Sequence, residues 1–152
     1  MEKTLCVARA LYDMYFKRYG VSMDEMKMHK LMYFSQRESL MSCNEPLFDG
    51  TFYGWKFGPV LKEVRSEYKF ETCFASVAEG VSETTQNLLR DVLDRYGSLS
   101  SWKLSGLSHE EFSWKKARFG IAAGEDGDVA ISLDAMKIDA TKELAARKKV
   151  FD

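Results

Sequence analysis

Apolar residues recur at helical spacing through most of this chain. From Leu5 they fall at 5, 8, 11, 12, 15, 16 and 19, which is one helix face. Gly20 follows where a helix end favours a residue able to turn left-handed, so the spacing predicts a first helix over about Glu2–Tyr19. Ser22-Met23-Asp24-Glu25 has the form of a capping box, a serine for an orphan N–H with a glutamate reaching back. The helix it opens carries Met26, Met28, Leu31, Met32, Tyr33 and Phe34, apolar round more than one face and hence central. Ser82 begins another on Leu88, Leu89, Val92, Leu93 and Tyr96, with Gly97 as its stop. Ser98–Ser101 leads into a short helix through Trp102, Leu104 and Leu107. Ser108-His109-Glu110-Glu111 repeats the capping-box pattern ahead of Phe112, Trp114 and Ala117, placing His109 at a first helical position. Ser132 caps a last helix on Leu133, Met136, Ala140 and Leu144, and Arg147-Lys148-Lys149 complements its dipole.

One stretch breaks this rhythm. Phe52-Tyr53-Gly54-Trp55-Lys56-Phe57 has period-two alternation and reads as an aromatic strand. Gly58-Pro59 stops it, and Pro59 suits the first turn of a helix over Val60–Tyr68. Trp55 reads as the packing anchor of this corner before it reads as a binding residue. Residues 69–81 show no clean period, and residues 119–131 can pair as a small hairpin about Gly124–Asp128. The expected architecture is mainly α, a single compact multi-helix domain over 1–152 with a minor β element: the strand near 52–57 and the hairpin near 119–131.

Composition narrows the classes. A chain of 152 residues with 45% hydrophobic and 13% aromatic content can bury a core without staples. No apolar run approaches the ~18 residues of a membrane span, and the first residues do not form a signal peptide. Three widely spaced cysteines fit neither a disulfide framework nor a zinc site, which suits a reducing cytoplasm. With 22 basic and 23 acidic residues there is no basic excess, so DNA binding gains little support.

Candidate chemistry is sparse. The chain has two histidines, and no zinc, phosphate-loop or nucleophile-elbow motif is present. His109 beside Glu110 and Glu111 is the one constellation that invites acid–base work, and the capping-box reading gives Ser108 and Glu111 a structural task instead. Glu125, Asp126 and Asp128 lack calcium-loop spacing and read as a solvated turn. No catalytic group, cofactor or metal site is assigned.

Three segments in order then resemble one family. Met26-Lys27-Met28-His29-Lys30-Leu31-Met32-Tyr33-Phe34-Ser35-Gln36 is similar to its second-helix motif. Pro46-Leu47-Phe48-Asp49 with Trp55-Lys56-Phe57-Gly58-Pro59-Val60 is similar to its central block. Leu104–Glu111 with Trp114 and Ala117-Arg118 is similar to its third. The family is the Panacea antitoxin domain, also found in phage-associated GepA-like proteins and in the SocA proteolysis adaptor. Departures are Gly54 for the usual alanine, Ser108 for threonine, and Ser113 where proline usually precedes Trp114.

The resemblance implies a cytoplasmic antitoxin that neutralises, by direct protein–protein binding, a toxin encoded beside it on a prophage or other mobile element. In the SocA branch the toxin is handed to the ClpXP protease, so a ClpXP-type protease is a further implied partner. The matched residues Lys30, Leu31, Tyr33, Trp55, Gly58, Pro59, Val60, Ser108, His109, Glu111 and Trp114 are expected to be mostly structural, with a role in interaction open. The alternatives are a phage-encoded regulator of a host protein, a hydrolase using His109 and Glu111, and DNA binding for autoregulation.

Overall fold

The computed structural model describes residues 1–151 and is mainly α, organised about its second helix. In α1 (Thr4–Tyr19) the end is as the spacing predicts. Gly20 has φ 73° and donates its N–H to the Phe16 carbonyl. The start lies later than Glu2, because Glu2 instead forms a parallel bridge with Phe48. In α2 (Glu25–Cys43) every residue from Lys27 to Arg37 is buried, with α1, α4, α5, α7 and the β element packed around it. Its cap is Asp24, which accepts the Lys27 N–H at 2.8 Å, and not Ser22. An aspartate one residue before the helix reaches the same orphan donor with a full charge, which the helix dipole favours.

A helix buried on all sides must satisfy its polar side chains internally. Gln36 does so by fixing the loop before the strand: its amide nitrogen donates to the Phe48 carbonyl, and its oxygen accepts from Leu47 N–H at 2.7 Å. Lys27 donates to the Tyr15 hydroxyl and the Gly97 carbonyl.

The aromatic stretch is half of a hairpin. β1 (Phe52–Trp55) pairs antiparallel with β2 (Gly58–Leu61), from Trp55 opposite Gly58 to Phe52 opposite Leu61. The expected helix start at Pro59 is therefore corrected: Pro59 and Val60 lie in a strand, and α3 (Lys62–Glu67) begins only after it. Proline is tolerated in an outer strand, and the apolar run Pro59-Val60-Leu61 is buried against α2 and α5. Phe52 and Gly54 face inward while Tyr53 and Trp55 are half-buried, as period two requires.

The expected hairpin over 119–131 does not form. Instead Val129–Ile131 runs along the other edge of β1, where Gly54 N–H donates to the Val129 carbonyl at 2.9 Å and Ile131 N–H to the Phe52 carbonyl at 2.7 Å. The open edge of β1 offers donors and acceptors that a local pairing would leave unmatched. The preceding loop is held by Arg118, which donates to the carbonyls of Ala122 and Glu125. Residues 69–81 are turns around buried Phe74, whose ring lies 5.3 Å from Tyr12 and 5.7 Å from Tyr68.

Three later helices start as their serines predict. Ser82, Ser100 and Ser132 each accept an N–H at 3.1 Å, opening α4 (Glu83–Tyr96), α5 (Ser101–His109) and α7 (Leu133–Phe151). The second capping box does not exist. Ser108 sits inside α5, fully buried, donating to the Ser105 carbonyl, and His109 is the last residue of that helix rather than the first of the next. The start of α6 (Phe112–Ala117) is capped from far along the chain: Asp139 on α7 accepts the N–H groups of Phe112 and Ser113, both at 2.8 Å. With Asp139 filling that role, Glu111 turns to Arg37.

Candidate functional site

Five of the eleven residues singled out from sequence converge on the tip of the hairpin. The Phe57 carbonyl accepts from Lys30 Nζ at 2.7 Å and from the Ser105 hydroxyl at 3.0 Å, tying the tip to α2 and α5. Gly58 has φ 126°, and a Cβ there would stand 3.0 Å from both Lys30 Nζ and Ser108 Oγ. Only glycine lets the tip approach so closely. From the other side, the His109 imidazole lies flat on the Trp114 indole, centroids 4.3 Å apart and planes at 11°. Trp114 donates its indole N–H to the Trp55 carbonyl at 2.8 Å. Lys30, Gly58, Ser108, His109 and Trp114 thus form one clasp that holds the hairpin on the helices.

The remaining matched residues support it from behind. Leu31 is fully buried, Pro59 and Val60 lie in β2, and the Tyr33 hydroxyl shares a hydrogen bond with Ser113 Oγ at 2.8 Å. Tyr33 also donates to Asp139, the distant cap of α6. Ser113 uses both its N–H and its hydroxyl here, and a proline at this position would offer neither.

Trp55 is placed differently from the buried anchor expected of it. Its side of β1 faces outward, because the opposite side, at Gly54, lies against Ala117. The Trp55 indole N–H donates to Asp128 at 2.9 Å and the Arg65 guanidinium stands 5.2 Å from its ring. Trp55 walls a cleft of ≈ 820 Å³ together with Met26, His29, Lys30, Phe57 and Val60. That size and its largely apolar wall suit a bound group. A second hollow of ≈ 640 Å³ between α1 and α4 is edged by arginines already engaged, Arg9 with Asp13 and Glu79 and Arg18 with Asp94.

Electrostatics distinguish the cleft floor from its rim. Burial lowers the Lys30 ammonium to about 8, only partly opposed by the field of Asp24. His29 accepts the Leu61 N–H on Nδ1, which leaves the proton on Nε2 to be donated to Glu25 at 2.9 Å. Burial holds His29 below its ordinary value despite that carboxylate. Burial also lowers His109, against the Phe57 carbonyl, and its Nε2 is buried without a partner.

Behind α2 lies a second polar cluster that the sequence reading missed. Arg37 contacts the Glu111 carboxylate and donates to the Tyr96 hydroxyl at 2.7 Å, while Arg147 joins Glu143 to Glu38. Burial, aided by the neighbouring Asp139, pushes the Glu111 carboxyl up to about 8 against the pull of Arg37. His109 and Glu111 therefore have separate neighbours, Trp114 for one and Arg37 for the other, and the structure does not assemble them as an acid–base pair.

Among the described residues no cluster of His, Cys, Asp or Glu has the arrangement of a metal site, and no helix is long and apolar enough to cross a membrane. The rim residues Arg65 and Asp128 were invisible as a group because they come from α3 and from a loop far along the chain. The one usable signal was the aromatic density of 52–57 itself.

The domain is mainly α, with its aromatic hairpin clasped onto a buried central helix and a half-apolar cleft beside the hairpin. Residues 28–115 match the family model described as antitoxin SocA-like, Panacea domain, and the chain belongs to that family. Neither a curated protein nor a solved structure matches the chain.

Proposed function

We propose that this protein is the antitoxin of a toxin–antitoxin pair, acting in the cytoplasm by direct binding to a cognate toxin encoded by an adjacent gene. The observation that carries the reading is the family match over 28–115, which covers α2 from Met28 on, the hairpin and the clasp. Family membership supports an antitoxin-type role. The geometry favours binding over chemistry, since Gly58, Ser108, His109 and Trp114 hold the hairpin in place and Trp55 walls an open cleft beside it. The bound toxin is also in a form that can be delivered to a ClpXP-type protease.

Co-expression tests this directly. The adjacent open reading frame, induced alone, should arrest growth, and induction together with this chain should restore it. A non-toxic neighbour, or a toxic one that this chain neither rescues nor retains on a column, overturns the reading. Toxin lifetime with and without the ClpX unfoldase separates occlusion from delivery.

A further inference from the structure

The rim of the cleft beside Trp55 is charged, but its charges are matched within the chain. Glu25 meets Arg65 at 3.0 Å and His29 at 2.9 Å. Asp128 receives both the Lys62 ammonium and the Trp55 indole N–H at 2.9 Å, and Asp126 stands 3.5 Å from Lys56. The floor is not matched. Lys30 is 2% exposed and lines the cleft, yet among the described residues it makes no ion pair, and its one hydrogen bond is to the neutral carbonyl of Phe57.

A buried ammonium without a counter-ion is costly, and an anion brought into the cleft would offset that cost. The surroundings say which anion. Met26, Trp55, Phe57 and Val60 make the wall apolar, so the anion must arrive attached to an apolar group. The carboxylates of Asp126 and Asp128 already occupy the rim cations and repel a phosphate backbone, which disfavours nucleic acid. One floor charge calls for one carboxylate.

We propose that this cleft is where the toxin docks, by a segment that fills the apolar wall with one large side chain and sets a carboxylate against Lys30. This rests on the antitoxin reading above and adds the surface and the chemistry of the contact. The partner's carboxylate is desolvated as it pairs, so loss of either charge acts on affinity far more than loss of a rim charge does.

The experiment has two arms. In the first, the wild-type chain is titrated with N-acetylphenylalanine and with its amide, following the Trp55 indole N–H by NMR. The acid should shift that resonance and the amide should not. This arm needs no variant, so it does not depend on a mutant folding. Acid and amide acting alike, or neither acting, overturns the proposal. In the second arm, the product of the adjacent gene is titrated with the wild-type chain and with Lys30→Met, whose melting temperature is checked first. Lys30→Met should weaken binding at least about tenfold. Equal affinities overturn the cleft while leaving the antitoxin reading intact. Acid-selective binding in the first arm with equal affinities in the second means that the cleft takes a small carboxylate, and docking there is refuted. A wild-type chain that neither binds nor neutralises the toxin overturns the antitoxin reading, and the docking site falls with it.

Discussion

The imidazole of His109 lies on the indole of Trp114 at 4.3 Å, and through that indole's N–H it bears on the Trp55 carbonyl. This stack closes the last turn of α5 over the hairpin, so His109 acts in the clasp. Replacing it with alanine should lower stability by about 1 kcal/mol, the worth of an aromatic stack. Urea unfolding checks the loss. The same histidine carries a pH signature. Its folded value is depressed, so its contribution is present above the ordinary histidine range and is lost as pH falls through the lowered value. His109→Ala should therefore soften the loss of stability on acidification below pH ~6.5.

Asp139 reaches α6 from another helix and accepts two backbone N–H groups at 2.8 Å. Asp139→Ala leaves both donors without their acceptor and frees the Tyr33 hydroxyl from one of its partners. The expected cost is about 2–3 kcal/mol, larger than for an exposed cap, because one of the stranded groups is buried. Chemical denaturation of the variant, with Asp139→Asn as an intermediate case, measures it.

Two buried ionisable groups, shifted in opposite directions, shape the stability of the chain against pH. Glu111 rises to about 8 when folded, so its contribution is present below 4.5 and is lost as pH climbs through about 8. Lys30 falls to about 8, so its contribution is present above 10.5 and is lost as pH drops through about 8. From these groups alone, stability should dip near pH 8. Melting temperature measured from pH 5 to 10 should show the dip. Glu111→Gln should flatten its acid side, and Lys30→Met its alkaline side.

Gly58 and Gly54 make a controlled pair. At Gly58 the backbone is at φ 126° and an added Cβ meets Lys30 and Ser108 at 3.0 Å. At Gly54 the added Cβ meets side-chain carbon of Ala117 at 3.0 Å and of Arg118 at 3.4 Å, with the Val129 carbonyl oxygen at an ordinary 3.7 Å. Gly58→Ala should cost about 2–3 kcal/mol through strain and a displaced clasp. Gly54→Ala should cost under about 1 kcal/mol. Thermal melts of the two variants, compared side by side, decide it.

Much of this architecture was legible because helix starts carry local signals. Ser82, Ser100 and Ser132 each cap the helix that follows, and Gly20 ends α1 in the left-handed region. The sequence misled wherever a distant group took over a local task. Ser108 and Glu111 have capping-box spacing, but Asp139 caps α6 from α7, leaving Ser108 inside α5 and Glu111 to Arg37. Pro59 has the form of a helix start, yet pairing with Gly54 across the hairpin keeps it in a strand. Val129–Ile131 passes over its local hairpin for the open edge of β1. The clasp residues stand in the segments that carry the family resemblance. The cleft was not legible, because Arg65, Asp126 and Asp128 meet Trp55 only in three dimensions.

Trp55 is half-buried on the outward side of β1, so its truncation should disturb partner binding more than folding. Trp55→Ala should melt within a few degrees of wild type, a loss of about 1–2 kcal/mol, and still fail to rescue growth. Unfolding of the variant would return Trp55 to the role of core anchor.

The measurement closest to the central claim is a calorimetric titration of the purified chain into the product of the adjacent gene, with toxicity assayed at each ratio. The account predicts saturable binding, with toxicity disappearing as the complex forms. No heat of binding, or a complex that remains fully toxic, would contradict it.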